Sequence, residues 1–232
     1  MIGGSRTRYD APPRTVELVG PAGAGKSSIR GELAARHAGR IASGGLWGLP
    51  RLRLLRHACA LLPAGTRGIA SHRPHAVADA LLHLARVRTL HGLLRAAPST
   101  GTLRLLDEGP VFGLAWLRMR RADLVHGGPL EAAWRDAATH WAYALDAILW
   151  VDAPDAVLAQ RIRARRKPHM MKSADSGEVA AFAASFRAAL DAVIEAMGRD
   201  APRLVRISTA LGTPHEAATR IAAVLGLDGR AA

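Results

Sequence analysis

The chain contains no asparagine, one cysteine and three lysines, and its aromatic content is 4%. Each shortage excludes something. Without asparagine the N-K-x-D motif that reads guanine cannot be written, so a regulatory GTPase is excluded. Cys59 alone cannot form an internal disulfide, which points to a reducing, cytoplasmic setting. Although 49% of the residues are hydrophobic, no run approaches the roughly 18 uninterrupted apolar residues of a membrane span. A soluble protein without a membrane partner is therefore expected. Residues 1–13 carry Arg6 and Arg8 but no apolar stretch behind them, so no secretory signal is expected.

Charge is abundant but one-sided: 32 Lys and Arg against 19 Asp and Glu give a formal +13. Such a balance ordinarily suggests a polyanion such as nucleic acid. The basic residues are spread along an Arg-rich, Ala-rich chain, however, and lack the interleaved aromatics of a single-strand-binding surface. A phosphorylated small molecule is the better expectation. The 232 residues suit one α/β domain. We place that domain at 14–227, between a disordered tail at 1–13 and a flexible one at 228–232, and leave a homodimer open.

The most informative stretch is Gly20-Pro21-Ala22-Gly23-Ala24-Gly25-Lys26-Ser27, followed by Ser28. It completes the phosphate-loop pattern G-x-x-x-x-G-K-S/T. Glycines let backbone N–H groups turn inward around a polyphosphate, and the following helix presents its positive end to the same anion. Lys26 can reach the β- and γ-phosphates, and the Ser27 hydroxyl can ligate Mg²⁺. A chance Gly-rich turn is the competing reading. The apolar strand Thr15-Val16-Glu17-Leu18-Val19 before it and the helical spacing of Ile29, Leu33 and His37 after it speak against chance.

Further on, strand and helix patterns alternate. Strands are expected at 15–19, weakly at 40–43, and at 102–106, 147–151 and 204–207. Helices are expected at 27–37, 46–62, 74–96, 112–125, 130–145, 156–165, 178–197 and 214–225, with breaks at Pro63-Ala64-Gly65-Thr66 and Gly127-Gly128-Pro129. The alternation predicts a five-stranded parallel sheet with helices on both faces, the P-loop NTPase architecture. The basic stretch 166–176 is the candidate mobile loop.

Two further motifs carry chemistry. In Leu103-Arg104-Leu105-Leu106-Asp107-Glu108-Gly109-Pro110 the strand ends in acids at the carboxyl edge of the sheet, where ligands bind in open α/β folds. Asp107 can there hold Mg²⁺ or accept a proton from an attacking hydroxyl, and Glu108 can take whichever task is left. The competing reading is an acidic cap on the next helix. In Ile148-Leu149-Trp150-Val151-Asp152-Ala153-Pro154 and the helix behind it, Arg161 and Arg165 share one face. Their guanidinium forks suit a transferring phosphoryl group, against the alternative of a solvated basic helix.

These residues, in this order and over about 16–207, resemble the thymidylate kinase and deoxynucleoside kinase group of P-loop kinases. The V-D-A-P-x-x-x-L-x-x-R-I-x-x-R segment carries much of the resemblance. It implies ATP and Mg²⁺ as cofactors and a LID at about 156–176, with Arg161 and Arg165 closing over ATP. It also implies passage of Ser208-Thr209-Ala210 near the adenine. One departure stands out, since Asp107-Glu108 occupies a place where the group commonly has an acid followed by arginine.

The acceptor is expected between the second and third strands, amid Arg51, Arg53, Arg56, His57, Arg67, His72, Arg73 and His75, although each of these taken singly reads as a solvated charge. Phe112 and Trp116 can stack on a ring but read first as core, and Trp47, Trp134 and Trp141 read as packing. Asp79 and His83 are given no chemistry. The function expected is transfer of the γ-phosphoryl group to a small molecule, a nucleoside, a nucleotide or a related hydroxyl compound. The alternatives are an ATPase or nucleotide switch using Asp107-Glu108 as a Walker B pair, and a nucleic-acid end kinase. No L-S-G-G-Q signature or appended domain supports a mechanical ATPase.

Overall fold

The computed structural model describes residues 14–69, 72–96, 102–166 and 168–228. The tail expected at 1–13, residues 229–232 of the other tail, and Lys167 within the LID lie outside the described residues.

Five parallel strands form one sheet in the order β2-β3-β1-β4-β5. They are β1 (Thr15–Val19), β2 (Ile41–Gly44), β3 (Leu103–Asp107), β4 (Ala147–Asp152) and β5 (Arg203–Ser208). The helices are α1 (Lys26–Arg36), α2 (Arg51–Ile69), α3 (Pro74–Ala96), α4 (Pro110–Arg120), the short α5 (Ala122–Val125), α6 (Glu131–Ala144), α7 (Asp155–Ala164), α8 (Ser176–Met197) and α9 (Pro214–Val224).

A parallel sheet is covered on both faces, and its inner strands accordingly read as near-continuous apolar runs. Alternate residues serve opposite cores. Val16, Leu18, Leu105, Leu149 and Val151 pack toward α1, α7 and α9. Val19, Leu106, Ile148 and Trp150 pack toward α3, α4, α6 and α8. Trp134 and Trp141 are buried in that second core, as read from the sequence.

β1 sits centrally, flanked by β3 and β4, with Leu18 in register with Asp107 and Val19 with Trp150. The chain leaves β1 toward one side of the sheet and later returns on the other, and the crevice that opens at such a switch is where open α/β sheets bind ligands. The sequence places the phosphate loop and the acids of β3 at that crevice.

Two of the expected helices, 46–62 and 112–125, depart from expectation. The break at 63–66 does not exist, because α2 runs through Pro63 without interruption. Proline forfeits one intrahelical hydrogen bond, but Cys59, whose carbonyl loses its donor, lies on the exposed face. Beyond it the helix is held against α3 by Leu61, which is buried, and by Gly65, where a Cβ would come within 2.5 Å of Leu81. Residues 46–49, expected as the first turn of this helix, form a loop instead. The helix expected over 112–125 starts at Pro110 and is split at Arg121 into α4 and α5.

Candidate functional site

At the carboxyl edge of the sheet lies a cavity of about 680 Å³, within the rough 300–1,000 Å³ range of small-molecule sites. It gathers residues that are far apart in sequence: the phosphate loop with Lys26, Ser27 and Ser28, the acids Asp107 and Glu108, and Arg161 with Arg165. Pro21 and Ala24 complete the loop; both are buried.

The loop is held tightly. Gly20 passes so close to β4 that a Cβ there would sit 1.9 Å from the Val151 carbonyl oxygen. α1 then begins at Lys26 and aims its free N–H groups into the cavity mouth, the arrangement that receives an anion. The Lys26 ammonium folds back over the loop, donating to the carbonyls of Gly20 at 2.7 Å and Pro21 at 3.0 Å. Desolvation pulls its pKa down to about 8, partly opposed by Asp107 and Glu108.

That shift gives binding a pH signature. An anion held by the charged form of Lys26 would be bound more weakly as pH rises through 8, and above that pH its binding would take up a proton. The affinity for a non-hydrolysable Mg·ATP analogue is expected to fall roughly tenfold between pH 7 and pH 9, following the fraction of charged lysine. Calorimetry in two buffers of different ionisation enthalpy measures both the fall and the proton uptake.

Asp107 ends β3 and is ion-paired with Arg30 of α1 at 3.1 Å. Burial raises its pKa, while Arg30 and Lys26 oppose the rise. Glu108 is exposed and adopts φ +54°, a left-handed conformation uncommon outside glycine. Its carboxylate accepts a hydrogen bond from the indole N–H of Trp47. Trp47 is therefore no packing residue. It is 53% exposed, with Arg86 over its ring and His83 edge-on to it.

Arg161 is already docked. Its guanidinium donates to the carbonyl and hydroxyl oxygens of Thr209 at 2.7 and 3.0 Å, and the Thr209 hydroxyl donates in turn to the Ala24 carbonyl. α7, the loop after β5 and the phosphate loop are thus stitched together, and Thr209 also lines the cavity. Leu158, Ala159 and Ile162 bury the inner face of α7 in the core. Of the stretch 156–176, the part through Ala164 is consequently an anchored helix.

Phe112 and Trp116 both line the cavity, and although Phe112 also packs against the core, neither is fully buried. The basic cluster proposed around the acceptor is elsewhere. Arg51, Arg53, Arg56, Arg73 and His75 are solvent-exposed, and none of them, nor His57 or His72, lines the cavity.

Two residues that support the site, Glu17 and Arg187, escaped the sequence reading. Glu17, an acid inside an apolar strand, is fully buried and accepts hydrogen bonds from the backbone N–H groups of Val111 and Phe112, both at 2.8 Å. Arg187 clamps Asp152 through two hydrogen bonds of 2.7 and 3.0 Å and Asp155 through a third of 2.7 Å, fixing the start of α7. The oddity of a charge within TVELV was the available signal for Glu17. For Arg187, a basic residue on a helix in an Arg-rich chain, there was none.

For Mg²⁺ the donor set is suitable but small. Among the described residues no group of three His, Cys, Asp or Glu side chains is placed to hold a metal. Mg²⁺ typically takes only one or two protein oxygens and fills its octahedron with water and phosphate. The Ser27 hydroxyl and the Asp107 carboxylate, lining one cavity, fit that demand.

Loop, central strand and flanking acid together give the chain the α/β P-loop NTPase fold. A deoxyadenosine kinase from M. mycoides, solved with dCTP bound, is similar over 92% of this chain and 99% of its own, at a TM-score of 0.52 and 10% identity. A thymidylate kinase from Candida albicans is similar over 93% of this chain and 92% of its own, at a TM-score of 0.56 and 13% identity. At such identities the likeness establishes the shared fold. No protein-family model and no curated protein sequence matches the chain. Among the described residues no helix is long and apolar enough to cross a membrane.

Proposed function

We propose that the protein is a kinase that transfers the γ-phosphoryl group of Mg·ATP to an oxygen of a small molecule. The observation that carries the reading is the convergence of Lys26, Asp107, Glu108, Arg161 and Arg165 on one cavity at the mouth of the phosphate loop. The named activities of two structural neighbours, on a nucleoside and on a nucleotide, support the same class.

In this reading the loop amides and Lys26 hold the β- and γ-phosphates, and Ser27 and Asp107 hold Mg²⁺, which neutralises charge on the phosphate oxygens when bound. The acceptor oxygen attacks Pγ as the bond to the β,γ-bridging oxygen breaks and ADP leaves. When the acceptor is a hydroxyl, its proton passes to the Glu108 or Asp107 carboxylate. Arg161 lies beside the loop and Arg165 at the cavity wall, where guanidinium groups offset charge on the transferring group. Residues 165–175 serve as the LID, closing over the reactants and excluding water.

The alternative, an ATPase in which Glu108 activates water, differs in a measurable way. ADP release should be slow without an acceptor and rise well above that basal rate when the right small molecule is supplied. Phosphoryl transfer leans more on positioning than on proton removal, so Glu108→Gln should lower acceptor-dependent turnover by only about tenfold. Fast acceptor-independent hydrolysis that Glu108→Gln abolishes would instead establish the ATPase. A screen of nucleosides, nucleoside monophosphates, sugars and other alcohols by coupled ADP release tests both.

A further inference from the structure

We propose that the far end of this cavity is the acceptor subsite and that it selects an uncharged alcohol built on an apolar aromatic ring, in preference to a nucleoside or a phosphate ester. This rests on the kinase reading of the same cavity and adds the chemistry of its acceptor.

The wall is a chain of touching rings. His169 stands edge-on to Phe182 with centroids 6.3 Å apart, and Phe182 is tilted against Trp116 at 6.3 Å. Trp116 stacks on Phe112 at 6.0 Å with planes 19° apart, and Phe112 meets Phe186 at 5.9 Å. The whole chain has three phenylalanines, and all three line this one cavity. Phe186 is buried and anchors the cluster, whereas Phe112, Trp116 and Phe182 keep part of their surface open. Met170, 53% exposed, and Pro168 add further apolar surface to the same wall. Rings that only packed α4 against α8 would be closed off.

What the wall lacks decides the ligand. A nucleobase carries two or three polar groups on its edge, and each one buried without a partner forfeits its hydrogen bonds to water. The chain has no asparagine, and its one glutamine, Gln160, is exposed on α7 and does not line the cavity. The lining hydroxyls of Ser27, Ser28, Thr209 and Thr213 belong to α1 and to the region after β5. Among the described residues of the ring cluster the polar side-chain groups are the Trp116 indole N–H and His169, whose Nδ1 already accepts from the Met171 N–H at 3.1 Å. Together they offer two N–H donors and no free acceptor, too few to read the mixed donors and acceptors of a base edge.

Phosphate esters are disfavoured by the cations. Among the described residues those lining the cavity are Lys26, Arg161 and Arg165. Lys26 and Arg161 are bonded into the phosphate loop and its neighbour Thr209, and Arg165 lies close enough to both Lys26 and His169 to lower their pKa values. All three are committed to the phosphates of ATP. A ring-bearing alcohol would stack on the wall and direct its hydroxyl toward Asp107 and Glu108, just before the first turn of α4. Its oxygen forms the new bond to Pγ, its proton goes to one of those carboxylates, and ADP departs.

The test uses the full chain with a non-hydrolysable Mg·ATP analogue bound, titrated with 2-naphthalenemethanol, thymidine and thymidine 5′-monophosphate. The naphthyl alcohol should bind at least about tenfold more tightly than the other two. Trp116→Leu and Phe182→Leu, both at partly open positions, should each weaken it about tenfold and leave affinity for the ATP analogue within about twofold. Equal or tighter binding of thymidine or its phosphate overturns the proposal, as does failure of the naphthyl alcohol to bind. So does a loss of ATP-analogue affinity in the variants, which would make the wall a site for adenine. The two readings fail separately. Naphthyl alcohol binding without ADP release on adding ATP keeps the subsite and removes the kinase, whereas preferred phosphorylation of the thymidine phosphate does the reverse.

Discussion

Replacing Lys26 by alanine should cut phosphoryl transfer by about 10²- to 10³-fold while the protein stays folded. In the kinase reading the ammonium is a positioned charge at the spot where negative charge is held and redistributed, and removal of one such donor typically costs that much. Folding should tolerate the change, because the ammonium is desolvated in the free protein and its pKa is displaced downward to about 8. A group whose charged form is disfavoured by the fold subtracts from stability at neutral pH, so its removal offsets part of the packing lost. Of the two residues whose carbonyls Lys26 now satisfies, Gly20 belongs to the cavity lining, where water can replace the ammonium. Circular dichroism and a denaturant titration check the fold, and coupled ADP release with the best acceptor checks the rate. A folded variant that keeps its turnover would place the chemistry away from the phosphate loop.

The parts of this site that were legible in the sequence are those where backbone geometry leaves few choices. A phosphate loop needs glycine at fixed spacings, a strand before it and a helix after it, and β1 and α1 fall within a residue of where the pattern places them. β strands buried on both faces advertise themselves as apolar runs, so Asp107 and Asp152 could be assigned to strand ends. The acceptor side was not legible, for a different reason. The Arg- and His-rich residues of α2 and the loop behind it drew attention by charge, yet charge density in an Arg-rich chain follows composition and mostly reports solvent exposure. The aromatic wall is assembled from α4 and, about half a hundred positions or more further along the chain, from the loop at 168–170 and α8. Phe112 with Trp116, and equally Phe182 with Phe186, lie four apart on one helix each, and only the first pair figures in the sequence reading; the pairing across the two helices could not be read beforehand. Whether such a pair faces core or cavity depends on how closely α8 approaches α4, and nothing local encodes that.

The second large effect concerns Glu17, whose carboxylate sits beneath the site without touching the cavity. It caps the start of α4 by accepting from the N–H groups of Val111 and Phe112, with Gly109 also in hydrogen-bonding reach. Its pKa is raised from the usual carboxylate range to about 8, because burial outweighs those donors and Asp107 adds repulsion. The folded chain therefore keeps a proton that the unfolded chain releases near pH 4.5. Between those two values the native state binds more protons than the unfolded state, so this group's contribution to stability is full below the lower value and drains away as pH rises through 8. Across that window the loss is of order several kcal/mol, accumulating at about 1.4 kcal/mol for each pH unit. Glu17→Gln removes the titration and, lacking a second oxygen, leaves one backbone N–H of α4 unpaired, which costs about 1–3 kcal/mol. At pH 5 the variant should thus be clearly less stable than the parent. By pH 9, where the parent must hold a buried carboxylate, the gap should close or reverse. Urea titrations of both proteins at pH 5, 7 and 9 isolate the effect, since every other titrating group is common to the two. A stability difference that stays constant across that range would show that Glu17 is ionised throughout, its helix-capping donors outweighing its burial.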